Sequence, residues 1–241
     1  MKGWIPCIVS SVVEETHDTR TFKLKLAHPL PFIAGQFVML SLAEGSHADN
    51  PRSARAYSIA SSPLHQDEIE LVIRINPQGF LTPLLFESKV GDAFRIKGPY
   101  GKFTFKDGDG NDLVFIAAGS GIAPLIGIIK YIVDTKIRAR MSLLYTDKTE
   151  KDLIARTLFE DYEREGKVKL LLSLTRETNT KWKGERGRID EIKIAKVLKS
   201  QDTIKNKLFY ICGPPAMVND TIEILRKQGV TPAQIRTEKY D

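Results

Sequence analysis

Four short stretches carry residue types that could do chemistry. Gly119-Ser120-Gly121 follows an uncharged apolar run, Leu113 to Ala118, and precedes Pro124 and apolar residues at helical spacing through Val133. Strand, glycine turn and helix start together aim backbone N–H groups and the positive end of a helix at an anion, so the stretch suits a phosphate. It equally suits a tight strand-to-helix connection with no ligand. Pro124 stands where the common dinucleotide fingerprint has a third glycine, and proline is tolerated in a first helical turn because its missing N–H has no partner there. Arg55-Ala56-Tyr57-Ser58 sets an anion clamp, a stacking ring and a hydroxyl along one strand, Arg55 and Tyr57 on one face and Ser58 on the other. Strands also carry Tyr and Ser for packing alone. Cys212-Gly213-Pro214-Pro215-Ala216-Met217 ends an apolar strand and opens a helix, which puts the thiol at a strand's carboxyl end, where parallel sheets bind ligands. A buried structural thiol is the other common use of a free cysteine. Gly79-Phe80-Leu81-Thr82 precedes a short helix and offers N–H groups and a hydroxyl to a phosphate, or is an ordinary helix start.

The elements that must position these residues change character once along the chain. From Pro6 to about Phe105 the sequence reads as short strands between turns: 7–13, 21–26, 37–42, 56–60, 69–75 and 93–97, with a short helix at 81–88. Thr21 to Leu26 alternates polar and apolar, as a half-buried antiparallel strand does. Strands at this spacing predict a closed or nearly closed antiparallel barrel. Gly98-Pro99-Tyr100-Gly101-Lys102-Phe103 reads as a rigid turn ending it. Lys106 to Asn111 is polar and glycine-rich, the best linker candidate. Beyond it apolar strands (113–118, 140–145, 168–173, 208–212) alternate with helices (from 124, then 153–165, 189–198, 216–228), which predicts a parallel sheet covered on both faces. The expected fold is therefore two domains, an antiparallel barrel over residues 1–106 and an α/β domain over 111–241.

Composition narrows the function. The chain has 241 residues, 42% of them apolar, enough for two cored domains and too many for disorder. No apolar run reaches membrane-spanning length, and the first residues do not read as a signal peptide. Cys7 and Cys212 are the only cysteines. Two thiols alone hold neither an iron–sulfur cluster nor a structural metal site and make no disulfide framework, so a reducing, cytoplasmic setting is expected and no metal. The net charge of +6 is scattered rather than run together, which favours anionic ligands or an acidic partner and not nucleic acid.

In order and approximate spacing, Arg55-x-Tyr57-Ser58, Gly98-Pro99-x-Gly101-x-Phe103, Gly119-x-Gly121-x-Ala123-Pro124 and Cys212-Gly213-Pro214-Pro215-x-Met217 resemble the ferredoxin–NADP reductase superfamily over nearly the whole chain. The resemblance implies a flavin-binding barrel of Greek-key type followed by a nicotinamide-dinucleotide domain, with FAD and either NADPH or NADH as cofactors. It implies that Arg55 holds flavin phosphate, that Tyr57 packs on the isoalloxazine with Ala56 beside it, and that Ser58 lies near flavin N5. Ile73 and Ile75 would line the flavin side, and Gly79, Leu81 and Thr82 would form its second phosphate site. Gly119, Ser120, Gly121 and Pro124 would carry the dinucleotide pyrophosphate, with Thr146 beside them. Cys212 would lie by the nicotinamide, flanked by Gly213, Pro214 and Met217. Glu238-Lys239-Tyr240 resembles the family's terminal Glu-x-aromatic pattern, with Glu238 as positioning or relay carboxylate and Tyr240 as a ring stacked on the flavin. Here Asp241 follows the aromatic, and a frayed tail is the other reading.

The implied chemistry is hydride transfer from nicotinamide to flavin, with Ser58, Cys212 and Glu238 as its catalytic residues, and electrons leaving to a separate acceptor: ferredoxin, flavodoxin, an oxygenase component or free flavin. Asp147 comes later than a ribose-binding acid should. Ser173 to Glu177 resembles the region where NADPH-using relatives hold the 2′-phosphate, which makes Arg176 and Arg186 candidates, with Arg188 adding charge. The alternatives are an oxygenase reductase component, an NAD(P)H:flavin reductase, a non-catalytic flavin-carrying subunit of a larger complex, and a dinucleotide-binding module without redox chemistry.

Overall fold

The computed structural model describes residues 3–43, 50, 53–199 and 204–240. The chain divides into two compact units, one running to Phe105 and including Ile126–Tyr131, the other formed by Lys106–Leu125 and the residues from Ile132 on. Among the described residues, no helix is long and apolar enough to cross a membrane.

The first unit is a six-stranded antiparallel sheet: β1 (Ile5–Thr16), β2 (Thr19–Leu26), β3 (Phe37–Leu42), β4 (Ala54–Ser58), β5 (Glu68–Arg74) and β6 (Ala93–Tyr100), in the order β4-β3-β6-β1-β2-β5. Helix α1 (Leu81–Glu87) lies between β5 and β6 in the chain. Just past β4, Ile59 bridges Leu71 of β5, and the Ala60 N–H donates to the Glu70 carbonyl. These bonds join the two edge strands, so the sheet closes into the expected barrel. Side chains alternate along the strands, and Val9, Phe22, Leu24, Val38, Leu40, Ile69, Leu71 and Ile96 fill the core at 0% exposure. Gly98-Pro99-Tyr100 is not the expected turn. Tyr100 pairs with Phe37, so β6 runs on through these residues and the chain turns only at Gly101, where φ is +100°.

The second unit is a six-stranded parallel sheet: β7 (Asp112–Ala118), β8 (Arg140–Asp147), β9 (Lys169–Leu174), β10 (Glu185–Arg186), β11 (Leu208–Gly213) and β12 (Ile235–Lys239), in the order β10-β9-β8-β7-β11-β12. The helices are α2 (Ile122–Asp134), α3 (Arg156–Arg164), α4 (Glu191–Lys199) and α5 (Pro215–Lys227). β7 and β11 are buried almost throughout, as strands covered on both faces must be. The chain starts at β7, moves outward through β8 to β10, then returns to place β11 on β7's other side. The strand order therefore reverses between β7 and β11, and α/β sheets bind ligands outside the carboxyl ends at such a reversal.

Three boundaries differ from the sequence reading. The helix expected from Leu153 starts at Arg156, because Thr149 and Asp152 close a capping box on a single 3-10 turn and Ala155 takes a left-handed conformation at φ +53°. β10 was not expected, since two residues carry no periodicity. The C-terminal segment is a strand, not a frayed tail: Ile235 to Lys239 pair in register with Phe209 to Gly213.

Candidate active site

The turn after β7 and the turn after β11 meet at the strand-order reversal. Gly119 sits at φ +56°, a left-handed conformation that costs a side-chain-bearing residue free energy, and the Gly119–Gly121 turn leads directly into α2 with Pro124 in its first turn. A Cβ on Gly121 would lie 2.5 Å from the Cys212 carbonyl oxygen and 2.7 Å from the Gly213 Cα. Only glycine lets the two turns touch there. Pro214 and Pro215 stop β11 and start α5, Pro215 in the helical N1 position, while the tip of the Met217 side chain fills the space beside Gly213.

Ala117, Cys212 and Glu238 are register partners across β7, β11 and β12, so they stand in one row on one face of the sheet. Cys212 is fully buried, and burial, together with the neighbouring Glu238 charge, raises its thiol pKa far above the ordinary range. It is a protonated, unreactive thiol at neutral pH. Burial also raises the Glu238 carboxyl, to about 7, and its Oε2 is buried without a hydrogen-bond partner. A carboxyl held there can keep or release a proton near neutrality. The Tyr240 N–H donates to the Gly213 carbonyl at 3.0 Å, which pins the end of β12 beside the Cys212 turn.

On the other side of β7, Thr146 pairs in register with Ala118 and Ser173. Its hydroxyl is buried and also lacks a partner. Two orphaned polar atoms thus flank, at the carboxyl edge where α/β sheets bind ligands, a cradle that a single Cβ would fill. The residues expected around a 2′-phosphate are differently engaged. The Ser173 hydroxyl is buried and donates to the Gly187 carbonyl at 2.7 Å. Arg186 is redirected: its guanidinium donates to the Glu177 and Asn179 carbonyls at 2.5 and 2.6 Å, so it braces the 177–179 loop. Arg176 and Arg188 are exposed. Glu177 accepts the backbone N–H groups of Glu150 and Asn179, bonds that hold its carboxyl below the usual range. Asp147 is buried at the end of β8, accepting from Tyr145 Oη and from its neighbour's N–H.

In the barrel, β4 carries Arg55, Ala56, Tyr57 and Ser58. Arg55 and Ala56 are exposed, Tyr57 is half-buried against the barrel core, and Ser58 is buried. The Arg55 guanidinium touches its own strand through the Ala54 carbonyl at 2.7 Å. Burial raises the Tyr57 phenol to about 12, opposed by the Arg55 charge, so its ring stays neutral at physiological pH. An exposed guanidinium beside a half-buried ring and a buried hydroxyl fits a phosphate-bearing aromatic group. Elsewhere on the flavin side, Ile73 and Leu81 point their side chains into the barrel core at 0% and 1% exposure, which leaves their backbone as the part nearest the surface. Ile75, just past β5, is half-buried. The Thr82 hydroxyl accepts the Asn76 N–H and donates to the Asn76 carbonyl, so it closes the 76–82 loop rather than offering a free donor. Gly79 allows that closure, since a Cβ there would meet the Asn76 carbonyl at 3.0 Å.

The antiparallel barrel and the parallel α/β unit each match a family model. The oxidoreductase FAD-binding domain model matches residues 6–105, and the oxidoreductase NAD-binding domain model matches residues 115–223. The chain is 29% identical over 236 residues to the reductase component of phenol 2-monooxygenase from Pseudomonas sp. (strain CF600), covering 97% of this chain and 64% of that protein. It is 32% identical over 216 residues to sulfhydrogenase 1 subunit gamma of Pyrococcus furiosus, covering 88% and 69%. Among solved structures, a ferredoxin NADP+ reductase from Neisseria gonorrhoeae with bound FAD and NADP superposes with a TM-score of 0.82 at 25% identity, covering 99% of both chains. The chain belongs to the ferredoxin–NADP reductase-like family of FAD- and NAD(P)-binding oxidoreductases. It spans about two thirds of the length of these two curated relatives.

Proposed function

We propose that this chain is an NAD(P)H-dependent flavoprotein reductase that delivers electrons to a separate acceptor, ferredoxin or flavodoxin in the main reading and an oxygenase component in the nearest alternative. The observation that carries it is the row Ala117–Cys212–Glu238 at the strand-order reversal, with Gly121 seated on the Cys212 carbonyl and a Glu238 oxygen buried without a partner. Bound FAD would supply the acceptance of two electrons as hydride from the nicotinamide and their onward release one at a time. The chain's own residues hold and align. Arg55 would bind flavin phosphate through its exposed guanidinium. Tyr57 would stack, its neutral phenol keeping the ring uncharged. Ser58 would orient the flavin by a hydrogen bond. The Gly119–Gly121 turn and the start of α2 would bind pyrophosphate through backbone N–H groups. Cys212, protonated and buried, would pack against the nicotinamide without attacking it. Glu238 would hold a proton near neutral pH and fix the amide or ring beside it.

Cys7 and Cys212 are both free and buried, so these residues offer no thiolate set for a cluster and a one-electron acceptor would lie outside them. The mild positive charge suits an acidic one. A reducing, cytoplasmic setting belongs to the same proposal. A second reading, a flavin-carrying subunit of a larger complex, is favoured by the likeness to a sulfhydrogenase subunit. The test is the pair of variants Ser58→Ala and Cys212→Ala. Each should keep FAD and slow its reduction by NAD(P)H about tenfold or more. Unchanged reduction in both would overturn the residue assignment.

A further inference from the structure

Among the described residues, β12 is a five-residue edge strand that pairs only with β11, yet it carries Glu238. Short edge strands are among the first elements of a sheet to open. A second row of side chains runs across the sheet two residues upstream of the Cys212 row, and therefore on the same face: Phe115, Tyr210 and Arg236 are register partners. Phe115 and Tyr210 stack with centroids 5.5 Å apart. The Arg236 guanidinium lies 5.4 Å from the Tyr210 ring centre and donates to its hydroxyl at 2.8 Å. Its outer edge meets Asp109 in a two-pronged pair, Nη1 to Oδ2 at 2.7 Å and Nη2 to Oδ1 at 2.8 Å. Asp109 belongs to the loop before β7, two strands away, and is itself fixed there by the Lys106 N–H at 2.6 Å. Neither residue is part of any motif in the chain.

We propose that the Asp109–Arg236 pair clamps β12 onto the sheet and so sets the position of Glu238 beside Cys212, which makes Arg236 a positioning residue. Its consequence for flavin reduction rests on the function proposed above; its effect on β12 does not. A paired, planar guanidinium stacked on a buried ring holds the strand at its middle, while the Tyr240 N–H bond holds its end.

The test uses the FAD-loaded protein and three variants: Arg236→Met, Asp109→Asn, and the reversed pair Asp109→Arg with Arg236→Asp. Three readouts are followed. Amide exchange over residues 235–240 should speed up about tenfold or more in both single variants, with barrel amides unchanged. Alkylation of Cys212, resolved by mass spectrometry against Cys7 as internal control, should rise in parallel. The reversed pair should recover most of both. The limiting rate of flavin reduction should fall about tenfold in the single variants, but by less than about twofold when Glu238 is already Gln, because a clamp acting through Glu238 loses its effect there. If Arg236→Met fails to fold, Asp109→Asn, which keeps the shape and removes the charge, decides alone. Unchanged exchange and alkylation in the variants that fold would overturn the clamp. Rate losses that add fully to Glu238→Gln would overturn its action through Glu238. If Glu238→Gln itself leaves reduction unchanged, the role proposed for Glu238 fails, while exchange and alkylation still judge the clamp.

Discussion

Replacing Glu238 by Gln removes an acid whose environment disfavours its charge. Burial moves the carboxyl from an ordinary 4.5 to about 7. The sign follows from which state binds the proton more tightly. The folded protein does, so the favourable contribution is complete below about pH 4.5 and is lost as pH rises through 7. Fully unscreened, that displacement corresponds to about 3.4 kcal/mol, at 1.36 kcal/mol per pH unit. Glu238 keeps part of its exposure, so half of that, roughly 1.7 kcal/mol, is the reasonable expectation. Glu238→Gln stays neutral at every pH. The variant should therefore match the parent near pH 5 and exceed it above pH 8, with a gain of about 3–6 °C in melting temperature for an α/β unit of this size. Calorimetry of parent and variant at pH 5.0 and 8.5, with equal FAD content, reads this directly. A variant equally stable at both pH values, or less stable at pH 8.5, would refute the reasoning about Glu238.

Other substitutions probe separate parts of the account. Gly121→Ala forces a Cβ against the Cys212 backbone and should cost about 2–3 kcal/mol or abolish dinucleotide binding, read by thermal melting and by titration with NAD(P)H. Arg55→Ala should weaken FAD retention about tenfold or more, measured by dialysis against free flavin, because it removes a charge-assisted contact to phosphate. Arg186→Ala should loosen the 177–179 loop, seen as faster amide exchange there, and should affect NADH and NADPH alike, since its guanidinium is held by two carbonyls. Arg176→Ala should raise the KM for NADPH about fivefold or more with little change for NADH; equal effects on both would remove Arg176 from the 2′-phosphate.

Much of this site could be read from sequence because its turns are built from residues with few alternatives. Gly121 is glycine because nothing larger clears the Cys212 carbonyl, and Pro214-Pro215 ends a strand wherever it occurs. The strand-to-helix alternation after Lys106 gave the parallel sheet for the same reason: period and turn chemistry are local. What depended on long-range geometry was not legible. Ile73 and Leu81 lie close in sequence to ligand-side residues, but strand and helix phase turns them into the core. Arg186 carries the right charge for a phosphate, yet two carbonyls nine and seven residues away take it up. Thr82 and Ser173 have the right hydroxyls, both satisfied by nearby backbone. The strand nature of the last residues is set by pairing with β11, and Asp109 meets Arg236 across 127 residues. A run of five whose only apolar residue is Ile235 carries no apolar alternation of its own.

The central claim is tested most directly by mixing the purified, flavin-loaded protein with NADPH or NADH without oxygen and following absorbance near about 450 nm, where oxidised flavin absorbs. The account predicts rapid bleaching with at least one of the two nucleotides, slowed in Cys212→Ala. A protein that holds FAD and bleaches with neither would contradict it.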